Sequence, residues 1–103
     1  MILNTALAMT AEELRLLQSL LKRYVPDYKV WAFGSRVNGT HKPYSDLDIA
    51  LVGEEPISIE IRAALSEALS ESALPYKVDI VDWASASETF QQIIEKQKLV
   101  IQL

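Results

Sequence analysis

The 103-residue sequence contains no cysteine, which excludes disulfide cross-links and thiolate metal sites and leaves the redox compartment open. It also lacks any apolar run of membrane-spanning length. The opening residues, Met1-Ile2-Leu3-Asn4-Thr5-Ala6-Leu7-Ala8-Met9, have no basic flank and are interrupted by polar residues, so they fail as a secretory signal and a cytoplasmic location is expected. Basic residues are few, ten Lys and Arg against fourteen Asp and Glu, for a net charge of −4. Scattered along the chain, they offer no positive footprint for an extended nucleic-acid backbone. Linkers, repeats and low-complexity tracts are absent too. With half of the residues apolar, one domain over residues 1–103 around one core is expected, burying about two thirds of the extended chain's surface.

What is present alternates between helix and strand signals. Thr10-Ala11-Glu12-Glu13 has the pattern of a capping box, and Leu14, Leu17, Leu21 and Tyr24 then fall on one face, which predicts a helix over residues 11–24, closed before Pro26. Tyr28 to Phe33 is short and rich in aromatic and β-branched residues, as a buried strand is, and Gly34 ends it. Leu47 to Val52 predicts a second strand and Lys77 to Asp82 a third. Between them, Ile61, Ala64, Leu65, Ala68 and Leu69 recur at helical spacing, with Pro75 safely beyond. Ser85 with Glu88 reads as another capping box, opening a helix whose Phe90, Ile93 and Ile94 face the sheet. The apolar tail Leu99 to Leu103 has no assignment. The expected class is therefore α+β, with a short mixed sheet of about three strands flanked by helices.

Two short motifs carry chemistry. Asp46 and Asp48 are two residues apart at the start of a strand, so both carboxylates point to one face while Leu47 turns into the core. Like charges this close are costly unless a cation compensates them, and Mg²⁺ takes hard oxygen ligands while keeping positions open for phosphate oxygens. Read alone, Asp-x-Asp at a strand edge is more often a solvated turn. Upstream, Gly34 lets the chain turn sharply and approach a ligand without a Cβ, and the amides that follow, with the Ser35 hydroxyl, are suited to grip phosphate oxygens. An ordinary serine-capped turn would look the same. A third carboxylate, Asp79, sits inside an apolar strand where burial is expensive. Facing Asp46 and Asp48 from a neighbouring strand would explain it. Asp82, of opposite parity and nearer the strand end, reads as a turn residue. Setting aside the three aspartates leaves a net charge of −1.

Gly34-Ser35, then Gly39, then Ser45-Asp46-Leu47-Asp48, and a later Asp79 in a strand together resemble the signature of the minimal nucleotidyltransferases of the DNA polymerase β superfamily. The likeness covers about residues 28–83. It implies a polymerase β palm-like nucleotidyltransferase fold and transfer of a nucleotidyl group, adenylyl by preference, from a nucleoside triphosphate such as ATP to a hydroxyl acceptor. By this resemblance Gly34 and Ser35 bind the triphosphate, Asp46 and Asp48 ligate Mg²⁺, and Asp79 completes the metal site and accepts the proton of the attacking hydroxyl. Two Mg²⁺ ions are implied. Arg36 and Lys42 are candidates to reach phosphate, and Ser45 to orient Asp46 or a metal-bound water, although loop residues of these types are commonly just solvated. His41 is expected at the surface, and Trp31, Phe33 and Trp83 in the core or an interface.

After Asp82 only about twenty residues remain, too few for a domain that grips base and acceptor. The resemblance implies a small all-helical partner of the HEPN or nucleotidyltransferase-substrate-binding type, whose tyrosine is adenylylated in toxin and antitoxin pairs. The tail Leu99 to Leu103, with Tyr28 or Trp31, is a candidate docking or dimerising surface, and equally an ordinary packed C-terminus. A second functional class stands beside the enzyme: a nucleotide-binding, antitoxin-like subunit that acts by binding its partner with little or no transfer. Unrelated Asp-x-Asp enzymes fit poorly. A glycosyltransferase needs a larger nucleotide-sugar domain, and an aspartyl phosphatase has no use for the Gly-Ser turn.

Overall fold

The computed structural model describes residues 7–103; the first six residues of the N-terminal stretch lie outside it. Helix α1 (Ala11–Tyr24) opens on the expected capping box: the Glu13 amide donates to Thr10 Oγ1 at 3.0 Å and the Thr10 amide to Glu13 Oε1 at 3.1 Å. Both satisfy amides that the first helical turn leaves without partners. Strand β1 (Lys29–Phe33) follows, then the single turn α2 (Ser35–Asn38), strand β2 (Leu47–Val52), helix α3 (Ile59–Ser70) and strand β3 (Val78–Asp82). A 3-10 turn (Trp83–Ser85), helix α4 (Glu88–Gln97) and strand β4 (Leu99–Gln102) complete the chain.

The strands form one mixed sheet in the order β3-β2-β1-β4. β1 runs antiparallel to β2 and β4, and β2 parallel to β3 through the crossover helix α3. The fourth strand corrects the expected count of about three. It comes from the tail, which pairs Leu99 with Ala32 and Val100 with Trp31. A four-residue strand whose partner lies almost 70 residues upstream carries no local turn signal.

Alternation along the strands divides the core. On one face Val30, Ala32, Leu47, Ile49, Leu51 and Ile101 are buried against Leu17 and Leu21 of α1 and Leu65 and Leu69 of α3. The other face carries Trp31, Phe33, Asp48, Ala50, Val52, Asp79 and Val81. There Phe33, Ala50 and Ile94 of α4 form a smaller buried cluster, with Trp31, Val52, Val81 and Trp83 packed around it. Of the three α4 residues expected on the sheet, only Ile94 is fully buried; Phe90 packs edge-on against Phe33 yet stays partly exposed, and Ile93 is 47% exposed. One helix cannot cover a four-stranded face, so part of it stays open beside the acidic residues.

The expected Ser85 cap is also corrected. Ser85 ends the 3-10 turn and its hydroxyl donates to Asp82 Oδ2 at 3.3 Å, while Ser87 caps α4 by accepting from the Phe90 amide at 3.1 Å. Among the described residues no helix is long and apolar enough to cross a membrane.

Candidate active site

Gly34 stands where β1 ends, at φ +86°, a region costly for any residue with a Cβ. Space imposes the same choice. A Cβ built on Gly34 would collide with Asp48 Oδ2 and lie 3.2 Å from Asp48 Cγ. The turn after β1 and the second carboxylate of the acidic pair are thus in direct apposition. Gly34 also donates its amide to Gln97 Oε1 at 3.1 Å, which ties the turn to the end of α4. Its carbonyl accepts from Val37 and Asn38, and α2 closes on Gly39 at φ +87°, whose amide returns to the Ser35 carbonyl. Ser35 is the half-buried first residue of that turn.

The strand register sets the carboxylates on neighbouring segments. Asp48 lies between Phe33 on β1 and Asp79 on β3, and Asp46 immediately precedes β2. Asp48 is half-buried. Burial first, and then the negative charges of Asp79 and Asp46, push its carboxyl above the ordinary carboxylate range. Asp79 is drawn by Lys77, whose Nζ lies 3.5 Å from Asp79 Oδ1. As they stand, no three His, Cys, Asp or Glu side chains among the described residues are grouped to hold an ion. The donor set nevertheless suits a hard divalent cation, with three carboxylates on neighbouring segments offering only oxygen ligands.

Arg36 occupies a place different from the one expected. It is 6% exposed, and its guanidinium donates to backbone carbonyls: Nε to Ser45 at 2.9 Å, Nη1 to Ala8 at 2.9 Å, and Nη2 to Pro43 at 3.0 Å and Lys42 at 3.4 Å. Its Cζ lies 3.9 Å from the centroid of the Tyr76 ring. With its donors committed to carbonyls, Arg36 braces the loop and does not present its charge to solvent. A phosphate contact is the expectation from sequence for this side chain; the contacts it makes in the structure are to these carbonyls. Ser45 closes the same loop, its hydroxyl accepting from the Lys42 amide at 2.8 Å. His41 and Lys42 are exposed. Asp82, read as a turn residue, accepts through Oδ2 from the Ile57 amide at 3.1 Å and from Ser85.

Sequence reasoning did not identify Gln97 or Tyr76. Each meets its partner across tens of residues, and neither lies in a motif.

The chain belongs to the polymerase beta nucleotidyltransferase family, whose model matches residues 16–102. It is therefore a nucleotidyltransferase in class, with the α+β fold of that family. Among its relatives is a probable protein adenylyltransferase MntA of Haemophilus influenzae, 54% identical over 92 residues, which cover 89% of this chain and 81% of the relative. The protein adenylyltransferase MntA of Shewanella oneidensis is 36% identical over 81 residues, 77% of this chain and 58% of that one. Solved structures agree. A toxin-antitoxin crystal structure with AMP-PNP matches with a TM-score of 0.72 and 31% identity over 89% of this chain and 73% of the other. A tri-AMPylated Shewanella oneidensis HEPN toxin in complex with its MNT antitoxin matches with a TM-score of 0.69 and 30% identity over 90% and 71%.

Proposed function

We propose that this protein, acting as one domain in the cytoplasm, transfers an adenylyl group from ATP to a hydroxyl on a partner protein. The observation that carries this reading is the apposition of Gly34 with Asp48, in register with Asp79. It sets the turn that follows β1 against carboxylates, as nucleotidyl transfer requires. Gly34 and Ser35 hold the triphosphate. Asp46, Asp48 and Asp79 hold Mg²⁺, two ions in the complete site, which would supply charge neutralisation at the phosphates. The acceptor oxygen attacks the α-phosphorus, its bond to phosphorus forms as the bond to the bridging oxygen breaks, and pyrophosphate leaves. Asp79 takes the hydroxyl proton. Positioning supplies most of the rate.

The partner is a small all-helical protein of the HEPN class, the class named for the toxin in one solved complex that the chain resembles. The partly open sheet face beside Asp48 leaves room for a segment of such a protein. Incubation with α-labelled ATP, Mg²⁺ and the partner tests the proposal. Label on the partner with release of pyrophosphate, lost in Asp46→Asn, is the expected result. Complex formation without label would instead support a subunit that acts by binding alone.

A further inference from the structure

We propose that Arg36 is a positioning residue that holds the loop ending in Asp46 in register with the strand carrying Asp79. The inference rests on the reading of those aspartates as metal ligands, and the argument begins from burial. A guanidinium withdrawn from water needs compensation. Among the described residues no carboxylate pairs with Arg36. Its compensation comes from four backbone carbonyls and an aromatic face.

The places of those partners give the arrangement its sense. Three of the carbonyls, of Lys42, Pro43 and Ser45, belong to the exposed connection between α2 and β2, and the last directly precedes Asp46. The fourth, of Ala8, belongs to the segment entering α1. The aromatic face is Tyr76, whose hydroxyl donates to Glu13 Oε1 at 3.0 Å and so ties it to α1. Tyr76 directly precedes Lys77, and Lys77 both pairs with Asp79 and accepts the Leu47 amide through its carbonyl at 2.9 Å. One side chain thus clamps the residue before Asp46 and stacks on the residue before the Lys77 anchor of Asp79. A lysine could not do both. Its ammonium is a point charge with three donors, whereas the planar fork reaches separate carbonyls and still offers a stacking surface.

Arg36→Lys keeps the charge, and Tyr76→Leu removes the stacking face together with the hydroxyl bond to Glu13, whose loss alone Tyr76→Phe reports. Each is compared with the wild type by amide hydrogen exchange and by Mn²⁺ binding in the presence of a non-hydrolysable ATP analogue. In Arg36→Lys and Tyr76→Leu exchange should quicken by about tenfold over Lys42 to Leu47 while the cores of α1 and α3 keep their protection. Mn²⁺ affinity should fall by about 10- to 100-fold, as it does when the supports of metal ligands are lost. The proposal is overturned by unchanged loop exchange, or by faster exchange throughout the chain with unaltered Mn²⁺ affinity, which would mark a general stabilising role. Quickened loop exchange in a protein whose wild type binds no Mn²⁺ would support the clamp and remove the metal reading beneath it.

Discussion

Asp48 shows how function and stability oppose each other at a single residue. Its folded-state pKa is raised, first by burial and then by Asp79 and Asp46. The stability it contributes is full below the unfolded carboxylate pKa and is lost as pH rises through the folded value. At neutral pH the ionised carboxylate therefore destabilises the metal-free fold. Asp48→Asn should raise the thermal midpoint at pH 7 by a few degrees, and the gap should close as pH falls through the acid range, as calorimetry against pH would show. The same substitution should lower turnover by at least about 10³-fold, equivalent to about 4 kcal/mol of transition-state stabilisation. A variant that is both more stable and inactive identifies a charge retained for chemistry. Gly34→Ala is the complementary case. Positive φ and the collision with Asp48 should cost about 1–3 kcal/mol in chemical denaturation, with loss of transfer.

The helix ends were legible wherever the signal was local. The Thr10 and Glu13 box needed only neighbours three residues away. At α4 two serines competed, and Asp82 decided between them by taking the Ser85 hydroxyl into the 3-10 turn. Ser87→Ala should cost about 1 kcal/mol on denaturation and Ser85→Ala clearly less. Tyr76 ties α1 to the start of β3. Burial, then its hydrogen bond to Glu13 and that carboxylate's charge, raise its hydroxyl well beyond the usual tyrosine range, although Arg36 pulls the other way. A raised folded pKa means stability present below the unfolded value of about 10 and lost above it. Tyr76→Phe should therefore flatten the fall in stability above pH 10, measured by urea unfolding across the alkaline range.

For the whole molecule, ligand linkage tests the site without reference to transfer. A ligand that binds only the folded chain stabilises it by about 2.7 kcal/mol at a hundred times its dissociation constant. ATP with Mg²⁺ should raise the thermal midpoint, a chelator should remove most of that gain, and Asp46→Asn should show little of it. The sequence by itself determined the three long helices, three strands, the Gly34-Ser35 turn and the strand positions of the aspartates, because periodicity, capping and strand parity act between near neighbours. It also identified the family through motif spacing. Tertiary structure decided the fourth strand, the burial of Arg36 among carbonyls and under Tyr76, and the capture of the Gly34 amide by Gln97. Each of these joins segments distant along the chain, and such pairings depend on packing and register, which no local pattern encodes.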